Sequence, residues 1–209
     1  MEYLDIYTEN GELIGKEERS IVHRDALWHK TVHCWLYDKL GNIYFQIRKK
    51  EGKFYTTASG HIQAGETVPE GFKREIKEEI GIDVDINNCT VVDIVKFVMD
   101  RDEGDGTVFR DRAFANVYIC DFEEDISSFD FDLNEIRGLV KMKAVDVLDI
   151  ITDKAESIKA EYITLEDGYY KTHEEDVTKD NFLVNPGETI ELKYGDVVKK
   201  VIEVTKISQ

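Results

Sequence analysis

Proline is scarce in this chain: Pro69 and Pro186 are the only two among 209 residues. No Ser/Gly/Pro-rich stretch interrupts the sequence, which excludes domains strung on long flexible linkers. Cysteine is as sparse. Cys34, Cys89 and Cys120 are odd in number and widely spaced. They read as thiols in a reducing compartment, not as a disulfide frame or a zinc site. No run of about 18 apolar residues exists, so no membrane-spanning helix is expected. The opening stretch MEYLDIYTENGELIG has no basic region followed by an apolar one, and a cytoplasmic location is the expectation. Basic residues are outnumbered, with 27 Lys+Arg against 44 Asp+Glu and a net charge of −17. Such a surface repels phosphate backbones and anionic lipid, so neither nucleic acid nor membrane is expected as a partner. What the chain does contain is enough apolar residue, 42 %, to bury a core, so its acidity does not mean disorder.

The first part reads as strands. Leu4 to Thr8 and Glu12 to Gly15 flank Asn10-Gly11, a hairpin signal. Val32 to Tyr37 and Ile43 to Arg48 flank Gly41-Asn42 in the same way, and Phe54 to Thr57 reads as a short edge. The period then changes. Thr67-Val68-Pro69-Glu70 has the form of a capping box with proline in the tolerant first turn. Val68, Phe72, Ile76 and Ile80 recur every four residues, and Gly81 stops the helix. Beyond it, Thr90 to Met99 and Val108 to Cys120 read as strands joined by a polar turn, and Gly138 to Lys143 as another. Val145 to Ile151 begins a second helix, with a continuation through Ile158 to Tyr162. Thr189 to Lys193 and Val197 to Val204, around Tyr194-Gly195-Asp196, read as a terminal hairpin. A boundary between the main domain and a small tail falls near 150–165.

The first helix carries the chemistry. Glu75 lies three residues before Glu78 and four before Glu79, so the three carboxylates share one helical face. Like charges at these spacings cost a few tenths of a kcal/mol per pair. A divalent cation offsets that cost, and hard oxygen ligands suit Mg²⁺ or Mn²⁺. Arg74 and Glu66 form a candidate ion pair fixing the preceding loop onto the helix. Gly60 and Gly65 let backbone approach a ligand closely. The competing reading is a solvated acidic helix in an acidic protein.

A longer pattern decides between them. Residues 60–82 read Gly60, five residues, Glu66, seven residues, then Arg74-Glu75-Ile76-Lys77-Glu78-Glu79-Ile80-Gly81-Ile82. This resembles the signature of the Nudix hydrolases at every fixed position. The resemblance implies an α+β fold with a mixed β-sheet sandwiched between α-helices. It assigns residues 1–160 to the Nudix domain and leaves 161–209 as a small, β-rich C-terminal extension of unknown role. The activity implied is hydrolysis of a diphosphate linkage in a nucleoside diphosphate-X or a related small molecule. By motif position, Glu75, Glu78 and Glu79 are the implied metal ligands, joined by the Gly60 carbonyl, with Mg²⁺ or Mn²⁺ as cofactor. Arg74 and Glu66 are the implied brace. Glu135, on the acidic loop that also carries Asp130 and Asp132, is the chosen general base. Arg48 and Lys50 are candidate phosphate-binding cations, as fork and point charge, with His61 a third substrate-side candidate.

The segment Ile21 to His33, with Gln46 to Lys50 and Ser59-Gly60-His61, resembles the branch that contains isopentenyl-diphosphate isomerase. In that enzyme histidines near the positions of His23, His29 and His61 help bind a metal. Its catalytic cysteine is replaced here by Ser59, and the second glutamate of its Glu-x-Glu pair by Ala113, the first position being Asp111. Proton shuffling needs both groups. Hydrolysis therefore leads, with the isomerase and a non-catalytic nucleotide-sensing module as alternatives. His23, His29 and His33 also read as ordinary polar packing, because their spacing does not force convergence. A homodimer contact, a lid and an edge strand are the roles open to the tail.

Overall fold

Val32, Cys34 and Leu36 alternate with Trp35 along β3 (His29–Tyr37), and all four are buried. A strand buried on both faces sits at the centre of a sheet with a covering layer on each side. A computed structural model describes residues 1–185 and 189–206 and shows that arrangement. Beside β3 lie β4 (Asn42–Arg48) and β8 (Val108–Asp121), the latter parallel to it. With β7 (Thr90–Asp102), β9 (Ile136–Lys143), β10 (Ile158–Glu166) and β11 (Tyr169–Val177), the order across the sheet is β11-β10-β9-β4-β3-β8-β7. Two short strands, β5 (Phe54–Tyr55) and β6 (Ala58–His61), pair with β4 and β3. The remaining neighbours are antiparallel, so the sheet is mixed. The N-terminal hairpin, β1 (Tyr3–Tyr7) and β2 (Leu13–Glu18), stands apart as a two-stranded sheet and leads into the short helix α1 (Arg19–Arg24).

Helix α2 (Val68–Ile80) covers one face. The capping box forms, with Glu70 Oε2 accepting from the Thr67 amide at 2.8 Å and from its hydroxyl at 2.7 Å. Phe72, Ile76 and Ile80 are fully buried against Val32, Leu36 and Ala58. Each contributes about 1.5–3 kcal/mol by leaving water. Gly81 closes the helix at φ 78°, and a Cβ there would lie 2.3 Å from Asp130 Cβ. The chain can therefore bring the loop after β8 tight against the helix end.

Helices α3 (Ala144–Ile151) and α4 (Ile190–Thr205) cover the other face. Three expectations are corrected here. Residues 158–162 do not continue α3. Asp153 turns left-handed at φ 62°, and β10 then joins the sheet beside β9. The terminal segment is a helix, not a hairpin. Its Tyr194, Val197, Val198 and Val201 are buried at helical spacing against Trp35 and Phe45. Burial outweighs the roughly 1 kcal/mol cost of Gly195 inside a helix and the β-preference of the valines. Finally, Cys89 and Cys120 are joined in a disulfide, leaving only Cys34 as a thiol. The reason is register: Thr90 pairs with Ile119, so the flanking cysteines face each other with Cα atoms 4.4 Å apart.

Candidate active site

Glu66 ends the loop before α2, and Arg74 sits two turns into the helix. Arg74 Nε donates to Glu66 Oε1 at 2.8 Å and Nη2 to Oε2 at 2.9 Å. This paired geometry is the strong form of an arginine–carboxylate contact. Glu66 Oε2 also accepts the Gln63 amide, and Arg74 Nη2 donates to the His61 carbonyl at 2.8 Å. One arginine thus ties loop, strand β6 and helix together. Its remaining nitrogen, Nη1, donates to Glu75 at 2.7 Å and Glu78 at 3.1 Å.

The three box carboxylates stand in different surroundings. Glu78 is exposed. Glu75 faces Gly60 so closely that a Cβ there would lie 2.1 Å from its carboxylate carbon. Burial holds the Glu75 carboxyl above its usual range, opposed by Arg74. Glu79 is only 6 % exposed, and its Oε2 accepts the Ser59 amide at 2.9 Å and the Gln46 amide group at 3.3 Å. Burial pushes its pKa up to about 8; the Ser59 hydrogen bond opposes this, while Glu75 and Glu135 add to it. A carboxylate desolvated this far gains strongly from a cation. All three line a cavity of about 510 Å³, with Glu135, Arg48, His61 and Gly60 also on its walls.

Beside this cavity three histidines converge. His23 comes from α1, His29 from the start of β3 and His61 from the end of β6. Their ring centroids are 5.0 to 5.1 Å apart, and one ligand atom from each lies within 4.8 Å of the others. His23 Nδ1 donates to the Arg110 carbonyl at 3.2 Å and His29 Nδ1 to the Leu27 carbonyl at 3.1 Å. Those bonds leave Nε2 of both rings as the lone-pair nitrogen, the arrangement that metal-binding imidazoles adopt. Burial lowers the pKa of His23 and His29 to about 4 and that of His61 well below its ordinary value, so all three are neutral at pH 7. His29 Nε2 faces Asp111 Oδ1 at 3.4 Å; both atoms are buried without a hydrogen-bond partner. Two such orphaned acceptors are costly unless a cation joins them.

The model of the NUDIX domain matches residues 27–165. An uncharacterised Nudix hydrolase of Clostridium acetobutylicum is 31 % identical over 193 residues, covering 87 % of this chain and 90 % of its own. The chain belongs to the Nudix family. Nudix hydrolase 3 of Arabidopsis thaliana is 30 % identical over 125 residues, but that stretch is 16 % of the plant protein. Among solved structures, the Deinococcus radiodurans protein DR0079 shares the Nudix fold at a TM-score of 0.52 and 21 % identity, over 73 % of this chain and 89 % of its own.

Within this Nudix frame the expected site residues do not all meet. Glu66, Arg74, Glu75 and Glu78 form one hydrogen-bonded group, Glu79 stands beside it on the same cavity, and Glu135 reaches that cavity from its loop. That loop is pinned by the Asp132 amide donating to the Glu79 carbonyl at 3.0 Å. Arg48 lines the cavity and pairs with Glu51 at 3.3 Å. Lys50 does not line it; its ammonium points to Glu103, 3.9 Å away, and is largely exposed. His33 stands apart from the other histidines and meets Tyr55 instead, ring to ring at 6.2 Å. Nothing in the sequence singles out Phe97, Met99 and Phe109, which add apolar surface to the cavity wall. Their alternation along β7 and β8 carries no mark that separates them from ordinary core positions.

Proposed function

We propose that this Nudix protein is a divalent-metal-dependent hydrolase that cleaves a diphosphate linkage in a nucleoside diphosphate-X or a related small molecule. The observation that carries this reading is the gathering of Glu75, Glu78, Glu79 and Glu135 on one cavity, with Glu66 and Arg74 holding the loop to the helix. The donor set is hard oxygen and fits Mg²⁺ or Mn²⁺. Gly60 fits too, since only a residue without Cβ leaves its backbone this close to Glu75. Glu75, Glu78, Glu79 and the Gly60 carbonyl would hold the ion. Bound there, it would neutralise charge on the diphosphate and make water more acidic. Glu135 takes the proton of the attacking water. Arg74 keeps the carboxylates in register, and Arg48 offers a cation to the departing phosphate. A cytoplasmic setting belongs to the same reading and requires the Cys89–Cys120 bond to persist in a reducing compartment.

The three histidines and Asp111 supply a second donor set, richer in nitrogen, suited to Zn²⁺ or Mn²⁺. They support placing the chain in the isomerase-like branch of the family. Isomerisation of isopentenyl diphosphate is the second reading. Ser59 and Ala113 weigh against it: Ser59 spends its amide on Glu79, and Ala113 is buried opposite His29 in the β3–β8 ladder. Neither supplies an acid–base group.

The test is a product assay with Mg²⁺ or Mn²⁺ over nucleoside diphosphate sugars, dinucleoside polyphosphates and isoprenoid diphosphates. Wild type is compared with Glu78→Gln and Glu79→Gln. Hydrolysis that stops in both variants and in excess EDTA is the expected result. Turnover that survives all three treatments, or isomerised product without cleavage of the diphosphate, overturns it.

A further inference from the structure

The two edges of the main sheet differ in kind. The β11 edge is lined with charge: Lys171, His173, Glu174, Glu175 and Asp176 are all exposed. Such an edge repels another strand. The β7 edge has the opposite character. Val91, Ile94, Val95 and Val98 are 56, 60, 43 and 59 % exposed, four large apolar side chains on one strand. Beyond Asp93 the strand runs in unbroken register with β8 to Asp102.

Hydrogen-bond direction alternates along a strand. The Glu103 amide donates to the Thr107 carbonyl across the hairpin, so odd-numbered amides face β8. The Ile94 amide turns away and is met by its neighbour's Asp93 Oδ1 at 2.7 Å. The even residues therefore present their backbone outward. Ile94, Lys96, Val98 and Asp100 also share one face of the sheet, since they pair with Asn116, Phe114, Arg112 and Arg110.

We infer that β7 is a dimer interface, pairing antiparallel with β7 of a second copy about a two-fold axis at Val98. Facing residues across such an axis must share a sheet face, so only a few registers are open. Those centred on Lys96 or Asp100 set like charges directly opposite, and those centred on Phe97 or Met99 set the apolar Val98 against Lys96 or Asp100. Centring on Val98 sets Val98 against Val98 of the partner and Lys96 against Asp100 of the partner, twice by symmetry; the Lys96 ammonium must leave Glu9, 3.9 Å away, and Asp100 must share its carboxylate with Arg112, 2.7 Å away in the same chain. The paired stretch runs from Lys96 to Asp100, because the Ile94 amide is already held by Asp93, and the residues on the axis exchange the outward backbone bonds. It joins two sheets into one and does not depend on the hydrolase reading.

Sedimentation equilibrium of the full chain tests it. Wild type is expected at twice the chain mass at micromolar concentration. Lys96→Asp faces Asp100 of the partner and should raise the dimer Kd about tenfold or more. Lys96→Asp combined with Asp100→Lys should restore dimerisation, which a damaged fold would not. Val98→Lys, at an exposed position, is a second dissociating variant whose melting temperature reports folding. A monomeric wild type, a dimer indifferent to Lys96→Asp and Val98→Lys, or a charge swap that fails to rescue while the protein stays folded overturns the proposal.

Discussion

Arg74 grips Glu66 with two parallel hydrogen bonds, 2.8 and 2.9 Å long, across the junction between loop and helix. The guanidinium fork matches the carboxylate in a way an ammonium cannot. Arg74→Lys keeps the charge and loses the geometry. We expect it to lower kcat/KM by about 100-fold. Thermal stability should fall by about 1–3 kcal/mol, the cost of losing hydrogen bonds to a charged group. Steady-state kinetics and a melting curve check both.

Gly60→Ala places a methyl where Glu75 stands. The carboxylate must move, because the built Cβ lies 2.1 Å from it. The helix itself is untouched, so folding should persist while metal affinity drops about 10- to 100-fold. Calorimetric titration with Mn²⁺ and circular dichroism separate the two effects.

The pH dependence of the metal-free protein follows from Glu79. Its folded pKa of about 8 lies above the ordinary 4.5, so the native state holds a proton that the unfolded chain releases. The associated stability is fully present below about pH 4.5 and is lost as pH rises toward 8. It amounts to on the order of 5 kcal/mol at most. Glu79→Gln, which stays neutral, should flatten this slope. Denaturant melts of both proteins in EDTA between pH 5 and pH 8.5 give the answer, and parallel slopes would refute it.

The Cys89–Cys120 bond closes a loop over a sequence separation of 31. Loop-closure entropy assigns it about 3–4 kcal/mol. Oxidised protein should show one free thiol by mass spectrometry and reduced protein three. Reduction should lower the melting temperature, and Cys89→Ser should reproduce that loss without reductant.

The box helix was legible because its signals are local. The Thr67–Glu70 cap, the four-residue apolar spacing and Gly81 act within a turn or two of one another. The same holds for the hairpins at Asn10-Gly11 and Gly41-Asn42. The tail reads as a hairpin yet forms a helix because Val197, Val198 and Val201 satisfy a strand preference and a helical spacing at once. Only the apolar face offered by Trp35 and Phe45 chooses between them.

By itself the sequence determined the Nudix box, the shared face of Glu75, Glu78 and Glu79, and the Arg74–Glu66 pair, all within a span of about two dozen residues. Tertiary structure decided what depends on strands far apart in the chain. The parallel β3–β8 ladder and the β3–β6 pairing bring His29, Asp111 and His61 together, and α1 adds His23. The β7–β8 register puts Cys89 opposite Cys120 and turns Val98 outward. Periodicity tells which face a residue takes, but register between distant strands is set by packing of the whole core.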